Sequence, residues 1–97
     1  MLDVDSPYYG CKIKDIFLAS YLHSLGFPET VIVSPQEGSS EVITFDFADV
    51  SQEAVLSYFN SEFTIKVNNQ EYTTSPKKLF LALRELRQKS YQVRSER

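Results

Sequence analysis

Residues 15 to 26 read DIFLASYLHSLG, a nearly unbroken apolar run opened by an aspartate and closed by a glycine. A bilayer span needs roughly 20 such residues in succession, so the run is too short to be an anchor. It carries instead the start and stop signals of a globular helix. Asp15 can accept from the first-turn amides, where the positive end of the helix dipole also favours a carboxylate. Gly26 supplies a left-handed residue just past the end, Phe27 can fold back onto Leu22, and Pro28 keeps the helix from resuming. At about 100° per residue, Phe17, Leu18, Ala19, Tyr21, Leu22 and Leu25 cover one broad arc, with Ser20, His23 and Ser24 on the remainder. So wide an apolar arc belongs to a helix at the centre of a core.

The partners of that helix follow in sequence. Thr30-Val31-Ile32-Val33 is β-branched throughout and reads as a strand. Ser34 to Ser40 reads as a polar loop, and Glu41 to Phe47 alternates, with Ile43, Phe45 and Phe47 on one face. Two strands so joined form an antiparallel hairpin with one covered face. A second helix is expected in DVSQEAVLSYFNSE, capped by an Asp49/Gln52 box or by Ser51, with an apolar stripe of Val55, Tyr58 and Phe59. Phe63, Ile65 and Val67 alternate as a third strand that ends at the turn signal Asn68-Asn69. Ser75-Pro76 opens a long last helix, with Leu79, Phe80, Ala82, Leu83, Leu86 and Val93 on one face and Leu81 pointing the other way. The expectation is an α+β domain in the order α-β-β-α-β-α, a small antiparallel sheet of about three strands with three helices on one face. Tyr8 to Ile13 can add a short strand. The expected core is Phe17, Leu18, Leu22, Leu25, Val31, Val33, Ile43, Phe45, Phe47, Phe59, Ile65, Leu79, Leu83 and Leu86.

Ninety-seven residues allow one domain, here assigned to residues 11–94, with a flexible N-terminus at 1–10 and a frayed end at 95–97. The single cysteine, Cys11, cannot form an internal disulfide, and the opening MLDVDSPYYG is acidic and polar, unlike a secretory signal. The chain is therefore expected in the cytoplasm. Its net charge of −3 hides a division. Residues 1–74 carry three bases against eleven acids, a net −8, whereas residues 75–97 carry seven bases against two acids, a net +5.

Catalytic chemistry finds little support in these residues. A thiolate nucleophile needs a nearby base, but His23 falls on the polar side of its helix and nothing local aims it at Cys11. One Cys and one His do not supply the roughly four ligands of a zinc site. Asp46 and Asp49 flank a strand end, where an isolated surface pair is the simpler account, and Gly10, Gly26 and Gly38 are too far apart to cradle phosphate. No cofactor, metal or enzymatic activity is expected. Phe45 and Phe47 could stack bases if they faced solvent, but they share a face with Ile43 and so belong to the core. The last helix is different. Lys77, Arg84, Gln88 and Tyr91 cluster on one exposed side with Arg87 at its boundary, Lys78 and Lys89 share another, and Arg94 and Arg97 extend the charge. Such a stripe is either the footprint of phosphate binding or a solvated face balanced by the acidic remainder of the molecule.

Three stretches also resemble an uncharacterised family of short proteins from bacteria, phages and other mobile elements. They are the Asp-[Ile/Leu]-[Phe/Tyr]-Leu-Ala-x-[Tyr/Phe]-Leu-x-x-x-Gly helix at Asp15 to Gly26, the F-x-F strand at Phe45 and Phe47, and the Leu-Phe-x-Ala-Leu-Arg-x-Leu-[Lys/Arg] helix at Leu79 to Arg87. The resemblance spans roughly residues 11 to 92, with NNQEYTTS as an addition to the usual compact form. It implies a fold and a genomic setting, and no catalytic residue.

The sequence therefore points to a non-catalytic binding module. The narrowly favoured reading, chiefly on the genomic setting that the resemblance implies, is a nucleic-acid-binding accessory of a phage or mobile element, with DNA or RNA held by Lys77, Lys78, Arg84, Arg87, Lys89, Tyr91 and Arg94. The other is a protein–protein adaptor or a homo-oligomer, with Leu81 as a contact on the polar face of the last helix.

Overall fold

The computed structural model describes residues 8–35 and 41–95. The elements run β1 (Tyr8–Ile13), α1 (Ile16–Leu25), β2 (Thr30–Pro35), β3 (Glu41–Ser51), α2 (Gln52–Phe59), β4 (Thr64–Val67), β5 (Gln70–Thr73) and α3 (Pro76–Ser95). The class is α+β with three helices, as the sequence indicates. The strands, however, form two sheets and not one: β1-β3-β2 and β4-β5.

In the larger sheet β3 is central and antiparallel to both neighbours. Cys11 and Ile13 of β1 sit opposite Phe47 and Phe45, while Val31 and Val33 of β2 sit opposite Phe45 and Ile43. Period-2 alternation puts all of them on one face. Phe45 and Phe47 are fully buried there, in one cluster with Leu22 and Leu25 of α1 and Leu86 of α3. The third strand of this sheet is thus β1, from the segment read as an optional strand, and not the Phe63–Val67 segment. Tyr8 and Tyr9, assigned to the flexible N-terminus, are paired in it, whereas residues 1–7 lie outside the described residues. Ser34 and Pro35 are likewise paired strand residues and not loop; the remainder of that expected loop, 36–40, and the end at 96–97 lie outside the described residues.

A register shift between Tyr9 and Cys11 lets β3 run on past Phe47 to Ser51. Asp49 and Val50 therefore belong to the strand, Val50 is fully buried, and the helix cap falls to Ser51, whose hydroxyl accepts from the Glu53 amide at 3.1 Å. The inward face of α2 is made by the small residues Ala54 and Ser57, which let the helix approach closely. Tyr21 bridges the contact, its hydroxyl bonding Ser57 at 2.8 Å and donating to the Glu62 carbonyl at 2.6 Å. Phe59, expected in the core, is consequently rotated out and is 70% exposed, packing edge-on against Tyr58.

The smaller sheet comes from an element the sequence reading missed. Asn68 and Asn69 both adopt positive φ, 51° and 65°, the geometry of a tight type I′ turn, and return the chain as β5. Ile65 and Val67 face inward, and Tyr72 of β5 stacks on Phe27 at 5.0 Å. Phe27 is placed there by the turn foreseen at the end of α1. Gly26 is left-handed at φ 112°, and the Phe27 amide donates to the Leu22 carbonyl at 3.2 Å.

Candidate functional site

Helix α3 lies across α1 and the edge strand β2, and its environment decides which of its side chains are available. Ser75 caps it, accepting from the Lys78 amide at 3.2 Å. Ala82, Leu86 and Ser90 form the buried line at i, i+4, i+8, with Leu79, Leu83 and Val93 half-buried beside it. The hydroxyl of Ser90 is satisfied by donation to the Leu86 carbonyl at 2.8 Å. Small residues at two of the three contact positions bring the helix axis close. The larger apolar residues are thereby pushed to the flanks.

One flank, carrying Glu85 and Lys89, is closed by an ion network. The Glu29 side chain is almost wholly buried at the α1–β2 corner. Its carboxylate meets His23 Nδ1 at 2.8 Å and Lys89 Nζ at 3.1 Å, and Lys89 also donates to the Glu29 carbonyl at 3.2 Å. The other ring nitrogen of His23, Nε2, lies 2.8 Å from Glu85. Two ionised carboxylates accept only, so both imidazole nitrogens must carry protons. The hydrogen bond to Glu29 accordingly raises the His23 pKa above 6.5, against the opposing effect of burial and with help from Glu85. Burial alone would push Glu29 upward, but the hydrogen bonds and charges of His23 and Lys89 outweigh it and hold Glu29 below 4.5. His23 is thus a structural clasp and not a solvated surface residue. With both nitrogens occupied it is not poised as a base for Cys11, which packs half-buried against the core from β1.

The opposite flank is open. At 100° per residue it carries Phe80, Leu83, Arg84, Arg87, Tyr91 and Arg94. Phe80, on the expected apolar face of the helix, is 74% exposed. Phe17, in the first turn of α1 and expected in the core, is 57% exposed. These two rings face a depression of about 400 Å³ whose floor and walls include Tyr58, Phe63, Leu79 and Leu83. Further along α3 a second cleft of about 290 Å³ is lined by Lys14, Arg87, Arg94 and Tyr91 above Ile16, Ile43 and Phe45. A shallow surface joins the two, since it shares Phe80 and Leu83 with the first and Arg87 and Tyr91 with the second. These hollows adjoin along α3 as a groove that is aromatic at the start of the helix and cationic toward its end.

The residues picked out on the last helix are therefore divided. Arg84, Arg87, Tyr91 and Arg94 border the groove, and exposed Leu81 lies at its outer margin. Lys77 is exposed, Lys78 is on the clasped side, and Lys89 is engaged with Glu29. Sequence reasoning missed Lys14, Phe17 and Phe63 as groove residues. The detectable signal was Phe80, which precedes Arg84 and Arg87 at the i+4 and i+7 positions of one face. Among the described residues no group of three or more His, Cys, Asp or Glu is placed to hold a metal ion, and no helix is long and apolar enough to cross a membrane. Comparison of the chain with protein-family models, with curated proteins and with solved structures found no match.

Proposed function

We propose that the chain is a non-catalytic binding module that holds a segment of another protein in the groove between α1 and α3. The observation that carries this reading is the exposure of Phe17, Phe63 and Phe80 around one apolar depression. Rings left in water around a concave site, close to arginines, are the composition of an interaction hot spot. Nothing in the core requires their exposure, because Leu22, Phe45, Phe47 and Leu86 already fill it.

A second reading, nucleic-acid binding, is favoured by the alternation of Phe80 and Tyr91 with Arg84 and Arg87, since single-strand binders combine stacking rings with cations. The resemblance to a family found in phages and mobile elements supports it too. It ranks second for two reasons. The cations of α3 are split between two flanks, which lowers the number of phosphates one surface can neutralise. The body of the domain is also acidic, with a net −8 over residues 1–74, and opposes the approach of a polyanion.

Two measurements separate the readings. Peptide-display selection on the wild-type chain should enrich sequences that lose binding to Phe80→Asp. Binders indifferent to Phe80→Asp, or none at all, overturn the protein-binding reading. Titration with single-stranded and duplex oligonucleotides at about 50 mM salt should show no Arg87-dependent binding. A log–log salt slope near −0.7 to −0.9 per contact, lost in Arg84→Ala/Arg87→Ala, hands the groove to nucleic acid.

A further inference from the structure

The groove changes chemistry along its length, and that gradient specifies its occupant more closely than a generic protein segment. At its apolar end burial, and after it the nearby Asp15 carboxylate, holds the Tyr58 phenol above its ordinary pKa of 10.0. Among the described residues, the cleft at the other end carries the cations Lys14 and Arg87 and no acidic side chain. From Phe80 to Tyr91 is eleven residues of helix, roughly 16 Å at 1.5 Å per residue. An occupant that fills both ends must place apolar anchors and negative charge that far apart on one side.

Resting on the partner-binding reading above, we propose that the groove takes an amphipathic helix of another protein, with bulky apolar residues on one half and Asp or Glu on the same face of the other half. Charge complementarity sets the acidic half against Lys14 and Arg87. A helix is the fitting form because it needs no backbone partner from the walls. Of the β3 residues in the cleft, Phe45 is paired on both edges, to Ile13 and to Val31, and Ile43 to Val33, so an extended segment finds at most a short edge there. A helix satisfies its own backbone, and about three turns cover the 16 Å. A second copy of this chain fits poorly. A two-fold contact uses the same patch on both molecules, and so would bring Lys14, Arg84 and Arg87 of both copies into one interface.

The test is a selection from a helical-scaffold peptide library randomised along one face. On the wild-type chain the enriched peptides should carry Phe, Leu or Trp in one half and Asp or Glu in the other. Exchanging those acids for Lys should weaken binding about tenfold at low salt, as close complementary pairs imply. Selection on Lys14→Glu/Arg87→Glu should reverse the preference toward Lys and Arg, and Arg84→Glu, farther out on an exposed turn, should shift it in the same direction. Peptides with apolar anchors that need Phe80 but show no acidic bias overturn this inference and leave the proposed function standing. Peptides indifferent to Phe80→Asp, an empty selection, or displacement of the peptides by a single-stranded oligonucleotide with Arg87-dependent affinity overturn both.

Discussion

On the flank of α3 that turns toward the α1–β2 corner, Lys89 and Glu85 each meet an opposite charge, and a buried carboxylate, Glu29, sits at the junction. On the other flank of the same helix, aromatic rings and arginines border the groove. The two flanks are equally amphipathic in sequence. What separates them is what each faces: the first faces a polar group that cannot be left unpaired, the second faces solvent. The comparison teaches that charge on a helix is not a function until its partners are known. Lys89 has the residue type of a phosphate contact and the geometry of a clasp.

The largest effect should come where the two flanks share a foundation. Leu22, fully buried beneath α3, should cost about 2–5 kcal/mol as Leu22→Ala in chemical denaturation. Phe80→Ala, the deletion of a larger side chain, should stay within about 0.5 kcal/mol, because its ring is in water already. Comparable losses at the two positions would show that Phe80 is packed, and the groove would lose its floor.

Glu29→Ala should cost about 1–3 kcal/mol, since it leaves His23 and Lys89 facing a vacated carboxylate site. Its pH dependence sharpens the contrast. His23 has a raised folded pKa, so its contribution is complete below about 6.5 and is lost as pH rises through that raised value. Glu29 has a lowered folded pKa, so its contribution is present above about 4.5 and is lost as pH falls through the lowered value. The stability gap between wild type and Glu29→Ala should therefore be widest between about pH 4.5 and 6.5. As the only histidine of the chain, His23 reports this directly by NMR titration. It should titrate above 6.5 in the wild type and move down in Glu29→Gln, whereas an unmoved value would dissolve the clasp. The smallest effect separates two cations of one helix. Lys89→Ala should cost about 0.5–1 kcal/mol, and Arg84→Ala almost nothing, in paired denaturation curves.

The legible part of the fold was the part written locally. Asp15 and Gly26 bounded α1, Ser75-Pro76 opened α3, and the alternation of Ile43, Phe45 and Phe47 chose the inner face of β3. The strand β5 escaped notice because Gln70 to Thr73 is polar, and only its turn, Asn68-Asn69, left a mark. Phe17 and Phe59, expected in the core, and Phe80, on the expected apolar face of α3, are exposed for one shared reason. Periodicity tells which side of a helix is apolar but not how far a neighbour covers it, and the buried small residues Ala19 and Ser20 in α1, Ala54 and Ser57 in α2, and Ala82 and Ser90 in α3 set the real contact line away from the large rings. Within the candidate site the charge of α3 could be read, and its division could not. The partners of Lys89 and His23 lie in other elements, at separations that no local pattern records.

A map of backbone amide shifts, recorded while the chain is titrated with an acidic amphipathic peptide selected on it, tests the central claim most directly. The account predicts saturable shifts at Phe17, Phe80, Leu83, Arg87 and Tyr91, with the amides around Glu29 and Lys89 unmoved. Shifts centred on the clasped flank, on the β4–β5 hairpin or on the outer face of the β1-β3-β2 sheet would contradict it.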